Sequence, residues 1–156
     1  MSIQKLERIQ RLPTSLSTIW DFISSPSNLK TITPEYMSFE ILGNPPEKMY
    51  AGQMIQYIVK PLFQIPLHWC TEITHVKEHC YFVDEQRQGP YSLWHHQHHI
   101  KEIDNGVEML DIVHYKAPLG FLGSLATPFI VTPKLNEIFD FRFQKLTEIF
   151  GQYKEV

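Results

Sequence analysis

Only two cysteines occur in the 156 residues, Cys70 and Cys80, ten positions apart. That spacing excludes a zinc ribbon and a Cys-x-x-Cys redox pair, and two reduced, structural thiols are expected. An excess of positive charge is also missing. Fourteen Lys and Arg against seventeen Asp and Glu leave a net charge of −3, and no basic run gives the footprint of a nucleic-acid binder. The first thirteen residues carry Lys5, Glu7, Arg8 and Arg11 and no apolar run, so no signal peptide is expected. The longest weakly polar stretch, Leu119 to Val131, is too short to span a bilayer and is broken by Gly120, Gly123 and Pro128. No internal repeat, low-complexity tract or linker divides the chain. These absences predict one domain over residues 1–156, cytoplasmic, with no integral membrane association and no nucleic-acid partner.

What the chain has in quantity is histidine, and in one place. Four of its eight histidines lie within positions 95 to 99. Around them run Tyr81–Arg87 and Val107–Tyr115, and Gly89-Pro90 and Asp104-Asn105-Gly106 mark turns. A three-strand antiparallel meander is the simplest reading. Successive side chains of a strand point to opposite faces, so Trp94, His96, His98 and Ile100 share one face and His95, Gln97, His99 and Lys101 the other. Phe82, Asp84 and Gln86, and Met109, Asp111, Val113 and Tyr115, fall on the same inner side as Trp94. A face mixing aromatic, His, Asp and Gln side chains is too polar for a plain core. Buried polar groups need partners, which a cavity holding water or ligand would supply.

Elsewhere the pattern predicts a first strand over Ile3–Leu12 and a helix capped by Thr14 or Ser15 that carries Leu16, Ile19, Trp20 and Ile23. A short helical turn or irregular connection over Asn28–Pro34 and strands over Met37–Leu42, Met54–Val59 and Leu67–Lys77 follow, with Pro61 and Pro66 bracketing a connection. From Pro133 onward Leu135, Ile138, Phe139, Arg142, Phe143, Leu146, Ile149 and Phe150 recur every three or four residues, predicting an amphipathic helix over about 134–150. The expected fold is α+β: a curved seven-stranded antiparallel sheet wrapped around that helix, with short helices after the first strand and a cavity between sheet and helix.

The inner histidines admit three chemical readings. A His-x-His pair on one strand face holds zinc when a third ligand arrives, and Asp84 or Asp111 could be that ligand. No metal motif supports this, so no metal and no cofactor are expected. His96, His98, Asp84 and Asp111 could instead act as acid and base in a catalytic site. No Gly-x-Ser-x-Gly nucleophile motif occurs, and neither Cys has an activating neighbour in sequence. The third and favoured reading is a satisfied polar network lining a binding pocket. There Phe82, Trp94, Met109, Val113 and Phe143 give apolar walls, and Asp84, Gln86, His96, His98, Asp111 and Tyr115 orient a polar end. His95 and His99 are expected on the outer surface.

Several segments also carry a resemblance. They are Leu12-Pro13 with Ile19-Trp20-Asp21-Phe22, Asn28-Leu29 and Thr33-Pro34; then Trp69-Cys70-Thr71-Glu72-Ile73, Phe82–Gln86 and Gly89-Pro90-Tyr91. Trp94–His98, Asp111–Tyr115, Pro118-Leu119-Gly120 and Phe139–Arg142 complete them. Over nearly its full length the chain resembles the SRPBCC superfamily, which includes START domains, plant pollen allergens and polyketide cyclases/dehydrases. It looks most like the small stand-alone bacterial members, some of which are labelled cell-division inhibitors. The resemblance implies a helix-grip fold and a small hydrophobic or amphipathic ligand, carried or sensed, with no obligatory metal. It also implies two competing classes, a cyclase/aromatase-like enzyme and a regulatory interaction module.

Overall fold

The computed structural model describes residues 3–60, 65–118 and 127–155. The chain begins with strand β1 (Gln4–Leu12) and helix α1 (Leu16–Ile23), followed by 3₁₀ turns at Pro26–Lys30 and Glu35–Met37. Six strands follow: β2 (Glu40–Leu42), β3 (Gln53–Val59), β4 (Leu67–Lys77), β5 (Tyr81–Gln88), β6 (Leu93–Ile103) and β7 (Gly106–Lys116). A π-helical turn, Thr127–Val131, leads into helix α2 (Thr132–Phe150). All seven strands lie in one antiparallel sheet of order β1-β7-β6-β5-β4-β3-β2.

Local chemistry accounts for the element ends. Pro13 stops β1, and the Ser15 hydroxyl accepts the Thr18 N–H at 3.2 Å, closing the free first turn of α1. Ser15→Ala is expected to cost about 1 kcal/mol, read as a shifted urea midpoint at unchanged slope. The β6–β7 hairpin turns through Asp104 and Asn105, with Asn105 in the left-handed region at φ 61°. Gly106 follows because a Cβ there would sit 2.1 Å from the Leu12 carbonyl oxygen, where β1 runs alongside β7.

Alternation along β6 and β7 is as read from sequence, whereas on β5 both Phe82 and its outer-face neighbour Val83 are buried. On β7 Val107, Met109, Asp111, Val113 and Tyr115 are buried and their neighbours less so. The register places His98 beside Phe82 and Asp111, and His96 beside Asp84 and Val113. Two irregularities in the β4–β5 pairing, at Cys70/Thr71 and between Ile73 and His75, bend these strands and increase local twist. Phe139 and Leu146 of α2 are buried against this inner face, the first with Leu6, Val113 and Tyr115, the second with Leu12, Ile19, Trp20 and Val107. Gln10 ties the helix to β1, its side-chain N–H donating to the Phe143 carbonyl at 2.9 Å.

Two sequence expectations change. Strand β2 is shorter than Met37–Leu42, because the chain first closes a 3₁₀ turn at Glu35–Met37 and passes through Ser38 at φ 45°. The helical stripe is narrower than its spacing implied, since Phe143 is 49% exposed. The expectations for Leu119–Gly120 and for the connection beginning at Pro61 fall on residues 61–64 and 119–126, outside those described. Among the described residues no helix is long and apolar enough to cross a membrane.

Candidate functional site

A cavity of about 740 Å³ lies between the inner sheet face, the 3₁₀ turns and α2. That is ample for a small organic molecule. Its walls are mainly apolar, with Ile32, Phe39, Ile55 and Ile73 on one side and Leu135, Ile138 and Phe139 on the helix side. At one end stands a cluster of rings. Tyr57 and Trp69 are stacked at 5.8 Å, and Trp69 meets Trp94 edge-on at 5.3 Å and Tyr91 at 5.6 Å. Burial pushes the Tyr57 and Tyr91 phenols upward, so both stay neutral donors. The Tyr57 hydroxyl shares a 2.8 Å hydrogen bond with Thr71, whereas the buried Trp69 Nε1–H finds no acceptor among the described residues.

The polar corner is built from β5, β6, β7 and α2. His96 Nε2 lies 2.8 Å from Asp111 Oδ1, and His98 Nδ1 lies 2.9 Å from the same oxygen. On the other side of the rings, Asp84 Oδ2 is 2.8 Å from His98 Nε2 and 3.5 Å from His96 Nδ1. The two imidazoles face each other at 3.6 Å, and Phe82 stacks on His98 at 4.0 Å. Trp94 Nε1–H donates to Asp84 Oδ1 at 3.3 Å, and Arg142 reaches Asp111 Oδ1 at 3.4 Å.

These contacts determine the charges. Burial would raise both carboxyls, but hydrogen bonds from the histidines outweigh it and hold Asp84 below, and Asp111 well below, the ordinary range. His98 has a carboxylate at each ring nitrogen, and only an imidazolium donates from both. Burial opposes that charge, and the hydrogen bonds to Asp111 and Asp84 overcome it, raising His98. For His96 burial dominates and the neighbouring His98 charge adds to it, lowering its pKa to about 4 despite the Asp111 hydrogen bond. A neutral His96 therefore carries its proton on Nε2, toward Asp111. Two carboxylates, one imidazolium and one guanidinium make a corner with no net charge, which reconciles four ionised groups with burial.

Of the residues singled out by sequence, Phe82, Asp84, Trp94, His96, His98 and Met109 line the cavity. The other five do not, for separate reasons. Asp111 sits behind the histidines. Val113 is fully buried between Leu6 and α2, and Tyr115 is also buried, its hydroxyl bonded to Thr132 at 2.8 Å. Phe143 points away on the outer side of α2. Gln86 clamps the β5–β6 turn, donating to the Tyr91 carbonyl at 2.7 Å and accepting the Tyr91 N–H at 3.1 Å. Gln86→Ala should cost about 1–2 kcal/mol in a urea unfolding curve, because two paired backbone groups lose their partner. His95 and His99 lie on the outer face, where they contact Glu85 and Gln97.

Sequence reasoning passed over Arg142 as a site residue, although its signal was present. It is the one charged residue in the stripe from Leu135 to Phe150, and a charge on an apolar helix face needs a partner inside. Tyr57 and Tyr91 had no comparable signal, because their convergence depends on sheet curvature.

By sequence, no family model and no curated protein matches the chain. Solved structures match it closely in shape. TTHA0849 from Thermus thermophilus superposes with TM-score 0.73 at 13% identity, covering 93% of this chain and 95% of that one. Protein CV1439 from Chromobacterium violaceum also gives 0.73, at 6% identity, over 96% of this chain and 98% of its own. Ara h 8.0201 gives 0.61 at 12% identity, over 94% and 99%. At such identities the likeness is one of fold, and the fold is the α+β helix-grip arrangement of a seven-stranded antiparallel sheet with a C-terminal helix.

Proposed function

We propose that the chain is a ligand-binding protein of SRPBCC type, holding a small, largely apolar molecule that carries a polar group. The observation that supports this reading is the division of the cavity surface. Apolar and aromatic side chains form most of it, Asp84, His96, His98 and Arg142 form a compact polar corner, and Asn28, Thr33, Thr71 and Lys134 add further polar groups. Such a surface takes an apolar body by burial and fixes its orientation through polar contacts, chiefly at that corner.

Native mass spectrometry of the purified protein, looking for a retained molecule, tests this directly. A second test uses the fluorescent anion 1-anilinonaphthalene-8-sulfonate. Wild type should bind one equivalent, and Ile73→Trp, at a buried position on the cavity wall, should reduce binding at least tenfold while the protein stays folded. No retained molecule together with equal dye binding by both proteins would sink the reading.

One observation favours a second reading, acid–base catalysis of the cyclase kind. A charged and a neutral imidazole stand side by side at the cavity wall, an arrangement able to donate and accept protons. Catalysis would appear as chemical turnover of the retained molecule that His98→Gln abolishes without preventing binding.

A further inference from the structure

We propose that Asp84, His96 and His98 form a three-ligand site for one divalent transition-metal ion, with the remaining coordination positions facing the cavity. The proposal goes beyond ligand binding and stands without it. It rests first on convergence. His96, His98 and Asp84 each present a ligand atom, and the three atoms lie within 4.8 Å of one another. An ion about 2.0–2.2 Å from each of two ligand atoms separates them by roughly 3–3.5 Å. Asp84 Oδ2 stands at 2.8 Å from His98 Nε2 and 3.5 Å from His96 Nδ1, separations that bracket that range.

The second observation is what lies behind the rings. Both histidines turn their far nitrogens, Nε2 of His96 and Nδ1 of His98, to the same oxygen of Asp111. Asp111 is in turn held by Arg142 and is not part of the cavity wall. A carboxylate that receives the second N–H of a ligating histidine fixes its tautomer and orientation. Here one carboxylate does so for two histidines at once, and the nitrogens left over are those turned toward Asp84.

The third is access. Asp84, His96 and His98 all line the cavity, so an ion held by them would have free positions on that side only. Two imidazoles and one carboxylate suit zinc or ferrous iron and disfavour calcium and magnesium, which prefer all-oxygen shells. The ion would supply the positive charge that the His98 proton supplies without it, and binding would release that proton. A ligand reaching the ion would do so through an oxygen, such as a carboxylate, a carbonyl or a water.

The experiment uses the full chain stripped with a chelator and titrated with Co²⁺ alone, followed by its visible d–d absorption. Wild type should saturate at one equivalent. Asp84→Ala and His98→Ala should each lose the band, and Asp111→Asn should weaken binding about 10–100-fold. His95→Ala and His99→Ala, on the outer face of the same strand, should titrate like wild type. Should the inner variants fail to fold, Zn²⁺ added to ¹⁵N-histidine-labelled wild type decides the matter. Side-chain spectra should then change at Nδ1 of His96 and Nε2 of His98. No saturable Co²⁺ band in wild type, or Zn²⁺ shifts confined to other histidines, would overturn the proposal. Native mass spectrometry on the stripped protein separates the two ideas, because a retained organic molecule without Co²⁺ binding leaves the cavity reading intact.

Discussion

Asp111→Ala is expected to lower the unfolding free energy by about 3–5 kcal/mol, the range for removing one partner of a buried charge network. One oxygen of Asp111 faces His96, His98 and Arg142. Without it the His98 imidazolium keeps only Asp84, and the buried end of Arg142 loses its carboxylate. Two positive charges then share a corner with one negative charge. The protein would respond by deprotonating His98 or by admitting water from the cavity, and either costs much of what the network contributed. Urea unfolding of chelator-treated wild type and variant measures the difference. Asp111→Asn should be markedly milder, since the amide oxygen still accepts a hydrogen bond. A loss below about 1 kcal/mol for the alanine variant would mean that water already screens the corner.

The meander was legible because two faces of a strand are separated by a period of two, and the histidine run straddles that period. His96 and His98 had to share a face, and Asp84 and Asp111 had to flank it once the Gly89-Pro90 and Asn105-Gly106 turns fixed the strand order. Alternation gives the face and not the depth along it. Trp94 and His98 border open space, whereas Val113 and Tyr115, on the same face, are covered by Leu135 and Phe139. Where a helix crosses a sheet depends on contacts far apart in the chain, which local pattern does not encode. The same limit explains Gln86. Its alternation is that of a lining residue, but its amide reaches across five residues to the Tyr91 backbone. A turn containing Pro90, which has no N–H of its own, increases the need for such a side-chain partner.

Helix α2 supplies the second large effect, and it separates two residues that periodicity treats alike. Phe143 and Leu146 are both on the apolar spacing, yet Leu146 is 1% exposed and Phe143 49%. Leu146→Ala should cost about 3 kcal/mol, within the usual range for a buried leucine. The side chain contributes to the cluster of Leu12, Ile19, Trp20, Phe82, Val107 and Met109, where α1, the sheet and α2 meet. It also borders the cavity, so truncation enlarges a space that exists rather than opening a new void, which keeps the cost below the upper end. Phe143→Ala should cost less than about 1 kcal/mol, because half of its surface already meets water. The pair is best read in one set of urea curves with a common slope. Equal losses would place both residues in the core and contradict the orientation of α2, and with it the position of Arg142 beside Asp111.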